Sequence, residues 1–161
     1  MSHYVRIVSA ISRFTGFIAV LFLLSSVLVI CHMVFVRSVL DHSTIWQTEY
    51  AIYSVVASTF LGSAYVLMMK GHVSVDVVPM MVSPRTRIVL EAITGTLSLV
   101  FCAMLAYSGW TYFHEAFANN WTTPSVARIP LWIPLLPLPF GIGLLCLQYV
   151  AELWKLKEEA R

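Results

Sequence analysis

Residues 14–36 read FTGFIAVLFLLSSVLVICHMVFV, a run that contains no charged side chain. A helix needs about 20 such residues, at 1.5 Å each, to cross a hydrocarbon core of about 30 Å. Three further uncharged runs follow, at residues 51–69, 92–113 and 129–151. The sequence therefore predicts an all-α integral membrane protein with four transmembrane helices, forming one domain over residues 1–161.

The composition agrees with this prediction. Of the 161 residues, 59% are hydrophobic and 11% are charged, whereas a soluble domain has about 25% charged residues. The first run is longer than the apolar region of a secretion signal, which has about 7 to 15 residues, and is interpreted as an uncleaved anchor. No segment between the runs is long enough to form a soluble domain with its own active site, so we do not expect an enzyme.

The basic residues predict the orientation in the membrane. Of the ten lysines and arginines, only Arg37 and Arg128 follow the first or the third run, and the other eight lie in the two tails and the middle loop. Basic residues in short loops are retained on the cytoplasmic side. Both termini are therefore predicted to be cytoplasmic, and the net charge of +2 gives no indication of nucleic-acid binding.

The uncharged runs contain few groups suited to chemistry. The cysteines Cys31, Cys102 and Cys146 lie singly in three different runs, so they are interpreted as packing residues rather than as a redox or zinc site. The polar groups noted in the middles of the runs are hydroxyls such as Ser58 and Thr94. A transporter that works alone usually keeps an ionisable residue inside its bundle, so we do not expect a self-sufficient pump. The lone histidines and scattered cysteines lead us to expect no bound cofactor.

The second run has small residues at every fourth position, Ser54, Ser58 and Gly62. Such a stripe allows a second helix to approach closely. The approaching helix belongs either to this chain or to a partner protein.

The fourth run contains four prolines, Pro130, Pro134, Pro137 and Pro139. Because each removes a backbone donor and clashes with the preceding turn, an undisturbed helix is predicted only from about Pro139. Residues 140–154 would then cover about 22 Å, less than the membrane core. The proline segment must supply the rest, covered by a partner or lying among the headgroups with Trp132 as an interfacial anchor.

The middle loop contains the stretch GHVSVD at residues 71–76, in which His72 and Asp76 share one face of a helix. Apolar side chains on the other face predict an amphipathic connector over about residues 71–87 on the inner membrane surface. Ser83 can cap the third helix and Pro84 can open it. The histidine and aspartate are too few ligands for a metal, and are interpreted as a helix-end ion pair or as part of a docking or hinge element.

The chain resembles the small membrane subunit (DctQ-like) of tripartite ATP-independent periplasmic (TRAP) transporters in three motifs and in their order along the sequence. They are WQTEYAIY at residues 46–53, FLGSAYVLMMKGHVSVDVV at 60–78 and SVARIPLWIPLLPLPFGIGLL at 125–145. Within these motifs the candidate interface or structural residues are Trp46, Glu49, Gly62, Gly71, His72, Asp76, Arg128, Pro130, Trp132 and Pro134.

The resemblance implies a non-catalytic role in the bacterial inner membrane. In such systems a periplasmic binding protein captures an organic acid, and a large multi-span subunit carries it inward with sodium. The small subunit braces the large one as part of its static scaffold. The implied partners are the large subunit, the periplasmic binding protein and membrane lipids.

A haem-binding anchor subunit of a redox complex is the alternative. His32 lies near the outer end of the first run and His114 just past the outer end of the third. The two imidazoles would need to face one haem from the same side of the membrane.

Overall fold

The computed structural model describes residues 2–42, 44–69, 84–125 and 128–159. Within these ranges five helices follow in order: α1 (Ser2–Val39), α2 (Trp46–Met68), α3 (Pro84–Ala118), the single turn α4 (Trp132–Leu135) and α5 (Pro137–Glu159). Segments of α1, α2 and α3, and the segment containing α4 and α5, are long and apolar enough to cross a membrane. The predicted all-α, four-span membrane fold is confirmed.

An even number of spans places both ends of the chain on one side of the membrane. We call this the terminal side; it holds the start of α1, the end of α2, the start of α3 and the end of α5. The opposite, loop side holds residues 40–42, 44–45, 119–125 and 128–131. The prediction that the terminal side is cytoplasmic continues to rest on the distribution of basic residues.

Two helices extend well beyond the uncharged runs. Helix α1 has 38 residues and α3 has 35, so each is more than 50 Å long at about 1.5 Å per residue. Helix α3 begins at Pro84, as predicted, and therefore includes residues 84–87, which were assigned to the connector. The rest of the connector, with Ser83, lies outside the described residues.

The long helices form a thin layer rather than a closed bundle. Helices α2 and α5 pack together in the middle, α1 lies along α2, and α3 lies along α5. Helix α1 also touches α5 over a short stretch. The two flanking helices expose most of their apolar side chains, including Phe14 on α1 and Leu97 on α3, which is 71% exposed. Lipid or another protein must cover these surfaces.

Small residues allow the two central helices to approach closely. Apart from Gln47, the buried residues of α2 are small: Ala51, Ser54, Ala57 and Ala64. Gly141 of α5 lies directly against the backbone of Phe60, and a Cβ atom at this glycine would be 2.6 Å from the Phe60 carbonyl carbon. Backbone contact of this kind is typical of helix pairs in membranes.

A buried amide connects α1 to α5, although the sequence suggested only hydroxyls in the middles of the runs. Gln148 is 0% exposed, and its Oε1 accepts a hydrogen bond of 3.0 Å from the Ser12 hydroxyl. Its Nε2 donates to Oε1 of Glu152 over 3.1 Å, and Lys155 Nζ lies 2.6 Å from the same oxygen. The bond between Ser12 and Gln148 joins residues that are 136 positions apart in sequence.

Candidate docking surface on the loop side

The segment after α3 folds back on itself as a narrow hairpin. Trp121 N donates to the Ala116 carbonyl at the end of α3 over 3.0 Å, and Leu131 N donates to the Trp121 carbonyl over 2.7 Å. Thr123 N donates to the Ile129 carbonyl over 2.9 Å. These bonds fix the position at which the chain enters the proline segment.

A buried threonine holds the tip of this hairpin. The Thr123 hydroxyl accepts a hydrogen bond of 3.0 Å from Ile129 N and lies 2.8 Å from the Ser125 hydroxyl. The candidate residue Arg128 adopts a φ of 47° and has an exposed side chain. Residues other than glycine, asparagine and aspartate rarely adopt this region and do so at a cost of about 1–3 kcal/mol. The backbone strain supports a specific role for the turn at Arg128.

The prolines disturb the helix less than the sequence suggested. Helix α5 begins at Pro137 and has 23 residues, which cover about 34 Å. Helix α5 therefore begins about two residues before the predicted start, and the apolar span Trp132–Leu156 includes the proline segment, as expected. Pro137 and Pro139 occupy the first turn, where N–H groups have no partner within the helix, so the missing donors cost little.

Helix α4 attaches the proline segment to its neighbours. The Trp132 ring packs edge-on against Phe117 of α3, with 5.9 Å between the ring centres and an angle of 79° between the planes. The Pro130 carbonyl accepts a hydrogen bond of 3.2 Å from Ile133 N, and Pro134 lies half-buried within α4. Helix α4 also contacts α2. Trp132 thus contributes to internal packing as well as lying near the loop-side surface.

The start of α2 carries unpaired polar groups beside an exposed tryptophan. Trp46 is 56% exposed, and the first turn has no side-chain cap. Among the described residues, the buried side-chain atoms without a hydrogen-bond partner are Thr44 Oγ1, Gln47 Oε1 and Glu49 Oε2. Gln47 is only 5% exposed. Buried polar groups are normally paired, so this end of α2 has unused capacity for hydrogen bonds.

The small-residue stripe of α2 packs within the chain at two of its positions. Ser54 is buried, and a Cβ atom at Gly62 would lie 3.3 Å from the Cβ of Ala19 on α1. The Ser58 hydroxyl donates to the Val55 carbonyl over 2.9 Å. For Ser54 and Gly62 the geometry favours internal packing over contact with a partner.

The candidate residues separate into groups. Trp46 and Glu49 lie in the first turn of α2, on the loop side. Helix α4 and the turn before it lie on the same side. We define the docking surface as residues 44–49 together with residues 128–134. Gly62 is in the half of α2 nearer the terminal side, and Gly71, His72 and Asp76 lie outside the described residues.

The structure does not bring the two histidines of the haem hypothesis onto neighbouring helices. His32 is exposed on α1 and His114 is exposed on α3. Helix α1 packs along α2, whereas α3 packs along α5, so these helices flank the layer. Within the described ranges, no group of three or more histidine, cysteine, aspartate or glutamate side chains could hold a metal ion.

The family model for the DctQ component of tripartite ATP-independent periplasmic transporters matches residues 26–158. The chain belongs to this DctQ family. The sequence-based resemblance is therefore confirmed. The protein, which has four spans, is an inner-membrane component of a TRAP transporter. The docking surface of this DctQ chain lies wholly within the matched range, whereas residues 2–25 of α1 lie outside it. No individual curated protein gives a significant match.

Proposed function

We propose that this DctQ chain braces the large, sodium-coupled membrane subunit of a TRAP transporter. The transported solute is an organic acid, which a periplasmic binding protein delivers to the large subunit. The family match is the observation that carries this proposal. The sodium ion and the organic acid are inferred from the resemblance to TRAP systems.

The packing of the helices supports a bracing role. The layer buries few of its apolar side chains, and its flanking helices expose large ones such as Leu97 and Met104. The four uncharged runs, which mark the membrane-crossing segments, contain no aspartate, glutamate, lysine or arginine. A layer of this kind exposes apolar surface that a partner can cover, but it lacks the intramembrane charges that coupled transport normally uses.

Reconstituted uptake tests the proposal. This chain is placed in proteoliposomes with the large membrane subunit and the binding protein of its TRAP system, under an inward sodium gradient. We expect uptake of a radiolabelled organic acid when this chain is present, and loss of nearly all uptake when it is omitted. Equal uptake with and without the chain would contradict the bracing role, provided that the large subunit is incorporated equally.

The docking surface is the region at which we expect the large subunit to bind. The unpaired oxygen atoms of Gln47 and Glu49 and the exposed ring of Trp46 lie at one end of α2. Tryptophan is enriched among the residues that dominate binding energy at protein interfaces. A partner chain, or a water molecule bound to it, would donate hydrogen bonds to the unpaired oxygen atoms of Gln47 and Glu49.

Trp46→Ala should weaken co-purification with the large subunit at least fivefold, because removal of an interface tryptophan typically costs more than 1 kcal/mol. The melting temperature of the isolated chain should change little, since the Trp46 ring is largely exposed. Trp110→Ala is the matched control, because Trp110 is 52% exposed on α3 and lies outside the docking surface. If only the Trp110 variant loses the partner, the docking surface is on α3 instead.

The orientation can be tested with truncated fusions to alkaline phosphatase, which is active only in the periplasm. A fusion after Arg161 should be inactive, because the distribution of basic residues predicts a cytoplasmic C-terminus. A fusion after Asn120, on the loop side, should be active. The reverse pattern of activity would invert the proposed topology.

A further inference from the structure

The first three turns of α1 carry a row of cationic side chains. His3, Arg6 and Arg13 are all exposed. Because successive residues of a helix are about 100° apart, Arg6 and Arg13 point within about 20° of each other and His3 lies beside them. We call these three residues the basic stripe. It lies outside the part of the chain that matches the DctQ family, which begins at residue 26.

The opposite face of the same turns is attached to α5. Val8 and Ser12 are buried, and Ser12 donates to Gln148. The Tyr4 hydroxyl donates to the Leu147 carbonyl over 3.2 Å. Tyr4 and Ser12 are about 12 Å apart along α1 but bond to adjacent residues of α5, so α1 crosses α5 here rather than running along it. This attachment turns the basic stripe away from the protein.

The crossing point lies near the membrane surface. The first charged residue of α5 is Glu152, which is five positions beyond Leu147 and therefore about 7 Å further from the membrane centre. The start of α1 is thus held near the level where headgroups meet acyl chains. Helices that bind at this level bury their apolar face by about 5–10 Å.

Apolar side chains flank the basic stripe along one edge. Ile7, Ile11 and Phe14 are exposed, at 58%, 45% and 65%. Helix α1 contains no aspartate or glutamate over its whole length. The exposed part of these turns therefore has an apolar edge for acyl chains beside a cationic edge for negatively charged groups.

We propose that the basic stripe of α1 binds anionic phospholipid headgroups in the leaflet on the terminal side. The apolar edge inserts among the acyl chains, while Arg6 and Arg13 pair with phosphate oxygens. Arginine forms bidentate hydrogen bonds with phosphate, which suits this geometry. The site would fix α1, and the layer attached to it, at one depth in the membrane. This inference is independent of the role in TRAP transport, because it concerns the chain by itself.

Lipid retention measured by native mass spectrometry tests the site. The full chain is purified in micelles that contain equal amounts of phosphatidylglycerol and phosphatidylcholine, and the bound lipids are counted. We expect the wild-type chain to retain phosphatidylglycerol in preference to phosphatidylcholine. Arg6→Gln should lower that preference about fivefold, which corresponds to about 1 kcal/mol per basic residue near an anionic surface. Arg6→Gln combined with Arg13→Gln should remove it.

Two matched variants distinguish this site from a general effect of charge. Arg37→Gln removes an exposed arginine from the other end of the same helix and should leave the preference unchanged. Arg6→Lys keeps the charge and should retain most of the preference. The proposal is overturned if the wild type shows no preference, if the double variant retains it, or if Arg37→Gln lowers it as much as Arg6→Gln does.

Discussion

Gly141→Ala is expected to separate the two central helices and to destabilise the protein by about 2 kcal/mol, the upper end of the net cost when overpacking is set against the helix propensity of alanine. The added methyl group would lie 2.6 Å from the Phe60 carbonyl carbon and closer still to its oxygen. Carbon atoms in favourable contact are about 3.5–4.0 Å apart. Because the obstructing atoms belong to the backbone, no side-chain rotation relieves the clash, and overpacking typically costs 1–3 kcal/mol. The better helix propensity of alanine, about 1 kcal/mol, offsets only part of this loss.

Gly143→Ala is the matched control on the same helix. A Cβ atom at Gly143 would have no heavy atom within 4 Å, so the substitution should leave stability unchanged or raise it slightly. Unfolding of the purified chains by increasing fractions of sodium dodecyl sulfate, followed by circular dichroism, measures the difference. Unfolding of both variants at the same detergent fraction would show that α2 and α5 are not in backbone contact at Phe60.

These two glycines illustrate what the sequence can and cannot predict. Both lie in the stretch PFGIGLL, where nothing local distinguishes them. Their environments differ because successive residues of a helix point in different directions, and only one direction at this level faces α2. The rotation of α5 about its own axis decides which glycine faces α2. That rotation is set by contacts with residues far away in sequence.

The number and type of the helices could be predicted because the membrane requires both. A spanning segment must satisfy its own backbone hydrogen bonds, so an uncharged run of about 20 residues indicates a helix. The ends of the helices could not be found in the same way. Helix α1 continues to Ser2 through Arg13 and Arg6, since a helix leaving the membrane can keep its hydrogen bonds in water.

The candidate residues were predictable as sequence motifs rather than by their contacts. Trp46 and Arg128 were selected by resemblance, and the structure shows an exposed ring at one and a strained backbone at the other. Thr123 was missed because a threonine in a polar loop is unremarkable until its hydroxyl is seen to hold the hairpin. Gln148 was also missed, although a lone amide in a membrane helix, such as this one in the fourth run, indicates a polar partner.

Gln148→Glu should destabilise the chain by about 2–4 kcal/mol, although the two side chains have nearly the same size. Gln148 is fully buried and donates to Glu152 over 3.1 Å. A carboxylate at position 148 removes this donor and places a second negative charge beside the first in a site with little water. Truncation or mispairing of a buried charged group typically costs several kcal/mol. The Ser12 hydroxyl can still donate to the new side chain, so packing against α1 is retained.

Restoring one donor should recover much of this loss. In the double variant Gln148→Glu with Glu152→Gln, the amide at position 152 can donate to the carboxylate at position 148, which reverses the original hydrogen bond. Lys155 then loses its ion-pair partner, but its side chain is 39% exposed, so water replaces the contact at little cost. We expect the double variant to unfold at a detergent fraction closer to the wild type than to Gln148→Glu. If the second substitution gives no recovery, the loss in Gln148→Glu does not arise from the contact with Glu152.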